Sequence, residues 1–287
     1  TVEWLRGQGF TLESSAEIVQ QYSAVWSKEQ FEENKTTAKL LRTCMMRALG
    51  FVREHLLAGK PVTEYEVQQE VGRYFEEYNL TSYSLPSVSV NENSANPHYQ
   101  PTAEKSAVLK RGDVLLLDMW AKPKTPHGVY SDITWMAYLG EEVPERPAML
   151  FNTIAAGRDA ALRLLQEHFP QKPVRGCDVD DACREVIEKA GFGQYFIHRT
   201  GHSITTETHG SGANMDNFET QDVRRIIPMT SFSIEPGIYI PEEIGLRTEI
   251  DIVVSEQGEI IVSGGSPQKE MLPLLAPNLD VEALIEA

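Results

Sequence analysis

Long hydrophobic runs are missing from this 287-residue chain. Nowhere do roughly 18 apolar residues follow one another, so no membrane partner is expected. Cysteine is scarce: Cys44, Cys177 and Cys183 are odd in number and form no CxxC pair. That excludes a disulfide framework and a thiolate zinc site, and makes a reducing cytoplasm the simplest setting. Basic residues are also few, 26 against 42 acidic ones, for a formal net charge of -16. Phosphate binding needs clustered cations, so a nucleic-acid partner is excluded. The acidity serves solubility, with a share left for carboxylates gathered round a cation. The opening "TVEWLRGQGF" has no basic-then-apolar leader pattern and no initiator Met, so a natural product longer at its N-terminus is expected.

What is present suits a soluble globular protein with one sizeable core: 41% hydrophobic and 24% charged residues. Residues 1–28 read as a preamble with a helix at "SAEIVQQYSAVW", a linker or remnant of an N-terminal domain. Residues 29–287 read as the main domain. Apolar residues at helical steps, such as Leu41, Met45, Leu49 and Val52, predict a long helix ending near Gly59. Thr63 with Glu66 has capping-box spacing and opens a second helix. "GDVLLLDMWA" and "VYSDITWMAYLG" predict two strands of a long hairpin joined by "KPKTPHG". Helices return at "ERPAMLFNTIAAGRDAALRLLQEHF" and "DVDDACREVIEKAGF", followed by strands and loops from residue 196 to about 264. The tail, "SPQKEMLPLLAPNLDVEALIEA", is broken by proline and expected along the outside.

An internal echo links the halves. Lys-Pro-Val recurs at 60–62 and 172–174, and the helices that follow place Val67 with Val179, Val71 with Cys183 and Phe75 with Ile187. In both copies the helix pair precedes the segments richest in His, Asp and Glu. Two related halves would set a site between them.

Four acidic residues sit in apolar surroundings: Asp118 ends "VLLLD", Asp132 lies in "YSDITWMAYL", Glu235 in "FSIEPGIY" and Glu249 in "LRTEIDIVV". The stretch from 231 to 254 predicts two buried strands with Glu235 and Glu249 inside them. Each carboxylate alone has an ordinary explanation, as a loop cap or a surface strand residue. Together with His202 in "RTGHSIT" they point to a cation, because buried carboxylates need a positive partner. Four carboxylates balance two divalent ions, and an oxygen-rich set with one imidazole suits Mn²⁺, Co²⁺, Zn²⁺ or Fe²⁺, Mn²⁺ favoured.

The motifs "LLLDMWA", "YSDIT", "TGHSIT", "IEPGIY" and "GLRTEIDIVV" resemble the metallopeptidase family of pita-bread fold, which includes methionine aminopeptidase, aminopeptidase P and prolidase. The resemblance covers roughly residues 30 to 265. It implies an α+β fold, a curved antiparallel sheet with outer helices in two pseudo-symmetric halves. It also implies that Asp118 chelates one metal, that Asp132 and Glu249 bridge both, and that His202 and Glu235 complete the other. Glu235 would further shuttle the proton of the attacking water. The implied activity is that of a dinuclear-metal exopeptidase removing an N-terminal residue by metal-activated hydroxide attack, from Xaa-Pro peptides above all. The resemblance allows a homodimer.

His98 in "NSANPHYQPT" and His209, seven residues after His202, are similar to the family's histidines that contact substrate and stabilise the tetrahedral intermediate. Plain loop histidines are the alternative. His198 would line the pocket, or simply pack. Arg247 would brace a bridging carboxylate, bind substrate, or form an ordinary salt bridge. His127 and His168 receive no role. The chain departs from the family pattern in several places: the longer "KPKTPHG" turn, Ser203 after His202, Gly210 after His209, Met119-Trp120 after Asp118, and no Arg after "SDIT". These leave methionine aminopeptidase activity, creatinase-like chemistry on a small non-peptide, and a catalytically silent binding module as competing functions.

Overall fold

The capping signals hold. In the computed structural model, which describes residues 1–285, two short helices α1 (Val2–Gly7) and α2 (Ala16–Ser23) lead into α3 (Lys28–Leu57). Ser27 and Gln30 close a capping box on α3; Thr63 and Glu66 close one on α4 (Glu64–Glu77). Each satisfies backbone N–H groups that a helix start leaves free.

The strands β1 (Leu80–Thr81), β2 (Ser87–Val90), β3 (Val114–Pro123) and β4 (Ser131–Tyr138) follow. Two further helices, α5 (Glu145–His168) and α6 (Gly176–Lys189), lead to β5 (Ser203–Ile204), β6 (Ser231–Ile234), β7 (Gly237–Ile240), β8 (Ile244–Arg247), β9 (Ile250–Val254), β10 (Ile260–Val262) and β11 (Leu272–Pro273). β1 to β4 and β11 make one sheet, β5, β6, β9 and β10 a second, and β7 with β8 a ribbon. All pairs are antiparallel except β11 with β4. Among the described residues no helix is long and apolar enough to cross a membrane.

The repeat is real in three dimensions. Helices α4 and α6 are both 14 residues long and start at the same distance after their Lys-Pro-Val. The residues before them, Thr63 and Arg175, each form an isolated antiparallel bridge, to Val108 and Arg225. Strands β2, β3 and β4 of the first half correspond in order to β5, β6 and β9 of the second.

Strand alternation then locates the site. Leu115, Leu117 and Met119 of β3 and Ile133, Trp135 and Ala137 of β4 join the core beneath α3 and α4. Their neighbours Asp118, Asp132 and Thr134 must face the other way. In the second half Phe232, Ile234, Ile250 and Ile252 join the core beneath α5 and α6, which turns Ser233 and Asp251 toward the first half. The polar faces of the two sheets meet between the two cores.

Two expectations fail. Residues 231–254 form four strands rather than two, and Glu235 and Glu249 occupy the breaks. There the backbone leaves the ladder: the Glu235 N–H donates to the Thr200 carbonyl (2.7 Å) and the Glu249 N–H to the Thr134 carbonyl (3.3 Å). Pro236, with no N–H to donate, helps end β6. The tail does not stay outside either. Leu272 and Leu274 are buried in the first core, and β11 pairs with β4. Residues 286 and 287, the end of the main domain read from sequence, lie outside the described residues.

Candidate metal centre

Hairpin register sets the first ligands. Asp118 pairs with Thr134 and Trp120 with Asp132, so the two aspartates are diagonal neighbours on one face. His202 just precedes β5, and its approach to β6 depends on Gly201. A Cβ on Gly201 would stand 1.9 Å from the Ser233 carbonyl oxygen, so only glycine fits there.

Ligand atoms of Asp132, His202 and Glu249 all lie within 4.8 Å of one another, and all three residues are buried. Glu235 joins them: its Oε1 is 3.2 Å from His202 Nε2, which lies 3.9 Å from Asp132 Oδ2. His202 Nδ1 is 3.3 Å from the Ser203 carbonyl, which only accepts, so Nδ1 carries a hydrogen and Nε2 is the nitrogen turned toward the carboxylates. Ser233 Oγ accepts from the His202 N–H (3.0 Å) and donates to Glu235 (3.0 Å).

Asp118 is held differently. Arg247 Nη2 donates to its Oδ2, and Thr134 Oγ1 lies 3.0 Å from its Oδ1 and 2.7 Å from Glu249 Oε2. Arg247 therefore braces Asp118 rather than Glu249. It also donates to Thr134 Oγ1 (3.2 Å) and to the Tyr239 hydroxyl (3.1 Å). The Tyr239 hydroxyl lies 2.9 Å from His198 Nε2, and His198 Nδ1 lies 2.7 Å from the Arg199 carbonyl. Both nitrogens of His198 are thus engaged within the protein, and only its ring meets the cavity.

The electrostatics call for cations. Burial, then repulsion from Glu249, pushes Asp132 well above the ordinary aspartate value. Burial and neighbouring carboxylates raise Glu249 strongly and Asp118 as well. Burial works against ionised Glu235 too, but the His202 contact holds its pKa below normal. Asp132 Oδ1 is buried without a hydrogen bond. A donor set of four carboxylates and one imidazole, with an orphaned buried oxygen, fits divalent ions of the Mn²⁺, Co²⁺, Zn²⁺ or Fe²⁺ kind.

A cavity of about 740 Å³ opens onto these groups, a size that suits a small ligand. His98 and His209 stand on its wall, with Tyr83, Trp120 and Arg199. The His209 ring stands 4.3 Å from that of His202, and burial followed by His202 lowers its pKa, which favours the neutral imidazole. Every residue singled out from the sequence for the centre lines this cavity. His127, left without a role, lies in the hairpin turn; His168 ends α5.

Sequence reasoning missed Thr134, Ser233, Tyr239 and Asp251. Asp251 is buried, accepts the Asp132 N–H at 2.7 Å, and is raised well above the ordinary value by burial. Alternation offered a signal for three of them. Thr134 follows Asp132 by two residues, Ser233 precedes Glu235 by two, and Asp251 follows Glu249 by two. Nothing local marks Tyr239.

Comparison with known proteins gives the family. The model of metallopeptidase family M24 matches residues 32–256. An uncharacterised peptidase of Schizosaccharomyces pombe is 32% identical over 197 residues, 68% of this chain and 41% of its own length. This chain therefore spans less than half of that curated relative. A dipeptidase from Pyrococcus horikoshii superposes with a TM-score of 0.74 at 26% identity, covering 95% of this chain and 71% of that one. An X-Pro aminopeptidase from Thermotoga maritima gives 0.71 at 25% identity, covering 85% and 63%. On the family match and the five groups gathered between its halves, this chain belongs to metallopeptidase family M24.

Proposed function

We propose that the chain is an exopeptidase that removes the N-terminal residue of Xaa-Pro peptides with two divalent ions, Mn²⁺ favoured. The observation that carries this is the convergence of Asp132, His202 and Glu249 within 4.8 Å at the cavity floor, with Glu235 against His202. Asp132 and Glu249 would hold both ions, Asp118 one of them, and His202 with Glu235 the other. When bound, such ions supply Lewis-acid activation of a water and of the scissile carbonyl.

The chain's own groups do the rest. Glu235 is biased toward the ionised form and takes the proton of the attacking water. Ser233 Oγ donates to its Oε1, which leaves Oε2 to receive that proton. His209, biased toward neutral imidazole, offers an N–H donor, and His98 a second, to the oxygen on which charge develops. Arg247 keeps Asp118 oriented from behind. Support for Xaa-Pro over other peptides comes from the His98 segment "NPHYQP" and from the X-Pro aminopeptidase among the structural neighbours. Three buried free thiols, Cys44, Cys177 and Cys183, support a reducing compartment, the cytoplasm.

The test is amino-acid release by Mn²⁺-loaded protein from an Xaa-Pro dipeptide, a longer Xaa-Pro peptide and a Met-Ala peptide. The expected result is release from a proline substrate at least about 10²-fold above Met-Ala, abolished in Asp132→Ala. Preference for Met-Ala would replace the substrate assignment. No release from any of the three would end the peptidase reading.

A further inference from the structure

Glu64 is the first residue of α4, completely buried, and no cation pairs with it among the described residues. A carboxylate in that position is costly unless it is richly hydrogen-bonded. Its Oε1 accepts from the Val90 N–H (2.8 Å) and Asn93 Nδ2 (3.0 Å). Its Oε2 accepts from the Tyr99 hydroxyl (2.7 Å) and the Ala107 N–H (2.8 Å). Its own N–H donates to the Ala107 carbonyl (3.0 Å). The segment from Val90 to Ala107 therefore winds round one carboxylate, gripped at both ends and at Tyr99.

That segment carries Asn96, Pro97, His98 and Gln100 to the cavity wall. Among the described residues the His98 side chain makes no hydrogen bond, and its backbone N–H is tied to Asn96 Oδ1 (3.0 Å). Its placement over the centre is thus decided by the loop, and the next residue, Tyr99, is tied through its hydroxyl to Glu64 and through its carbonyl to Ser87 Oγ (2.8 Å).

We propose that Glu64 is a positioning residue for His98: its buried carboxylate fixes the 90–107 loop so that His98 stands at the cavity wall. This rests on the role given to His98 under the proposed function. Gln in its place retains one acceptor oxygen, so it cannot serve the Val90 and Ala107 N–H groups and the Tyr99 hydroxyl together.

The test uses the whole chain. Hydrogen exchange in metal-free Glu64→Gln is expected to be about tenfold faster across residues 90–107, with β3 and β4 unchanged. Metal uptake should stay within about twofold of wild type. Turnover should fall toward that of His98→Ala, about 10²-fold. Adding Glu64→Gln to His98→Ala should cost less than about twofold more, because the effect passes through His98. Tyr99→Phe, which leaves the carboxylate and its other partners in place, is the second variant if Glu64→Gln fails to fold. It should act in the same direction by a smaller factor. Unchanged loop exchange, or a full additional loss in the His98→Ala background, overturns the proposal. Wild-type turnover in His98→Ala also overturns it. A wild-type protein that releases no amino acid from any peptide sinks the proposed function instead, and loop exchange alone then decides whether Glu64 holds the loop.

Discussion

Thr134 has one hydroxyl hydrogen and two carboxyl groups within reach, Asp118 at 3.0 Å and Glu249 at 2.7 Å. Only one of these contacts can use that hydrogen, so the other calls for a proton on a carboxyl group. The raised pKa values of Asp118 and Glu249 say the same. Metal binding and protonation are therefore alternatives at this centre. The sign of the stability effect follows. Asp118, Asp132, Glu249 and Asp251 bind protons more tightly folded than unfolded. Their contribution is full below the unfolded carboxyl range, about pH 4, and is lost as pH rises through the raised values. His198 and His209 are lowered, so their term rises with pH but is complete above about pH 7. From about pH 4 upward the raised carboxyl groups lower stability as pH rises, against the histidine effect up to about pH 7, and the part that Asp132→Asn removes is the carboxylates' own. The Tm of metal-free wild type relative to that of Asp132→Asn should therefore fall as pH rises above about 4, and Mn²⁺ should raise the wild-type Tm more at the upper end. Calorimetry with and without chelator measures both. A Tm difference between the two proteins that does not change with pH would contradict the charge assignment.

The β3–β4 hairpin shows why ligand spacing in sequence can change without moving ligands in space. Asp118 and Asp132 sit in paired strands whose register is fixed from Val114 with Tyr138 to Ala121 with Ser131. The extra length is confined to the turn, where Lys124 pairs with exposed Glu76 and Gln30 donates to the His127 carbonyl. Replacing residues 124–128 by a two-residue Asn-Gly turn is expected to cost about 1 kcal/mol or less. Mn²⁺ affinity measured by titration should change by less than about threefold; a loss beyond about tenfold would show that the turn itself shapes the centre. The hairpin was legible because alternation and turn residues are local signals. The breaks at Glu235 and Glu249 were not. Their cause is the carbonyls of Thr200 and Thr134, far away in sequence, which draw the backbone out of the ladder. The tail was misread for the same reason: its prolines suggested a surface path, while the partner that takes in Leu272 and Leu274 is a strand more than a hundred residues earlier.

Taken as two halves, the molecule explains why its chemistry is spread along the chain. The first half supplies Asp118 and Asp132 on β3 and β4. The second supplies His202, Glu235 and Glu249 at the corresponding β5, β6 and β9, so neither half holds the centre alone. Four of the five positions were legible as acidic residues out of place in apolar surroundings, and His202 only as a glycine-preceded histidine beside them. Their division between two halves was legible in the repeated Lys-Pro-Val. Residues that act through others, such as Thr134, Tyr239 and Glu64, were not, because a threonine, tyrosine or glutamate looks ordinary until its partners are known. The measurement that bears most directly on the whole is turnover of an Xaa-Pro peptide as Mn²⁺ is added to metal-free protein at a concentration well above its affinity. Turnover should rise from zero and level off at about two equivalents per chain. Turnover that is already full without added metal, or a protein that binds no Mn²⁺, would contradict a two-ion centre built from these five residues.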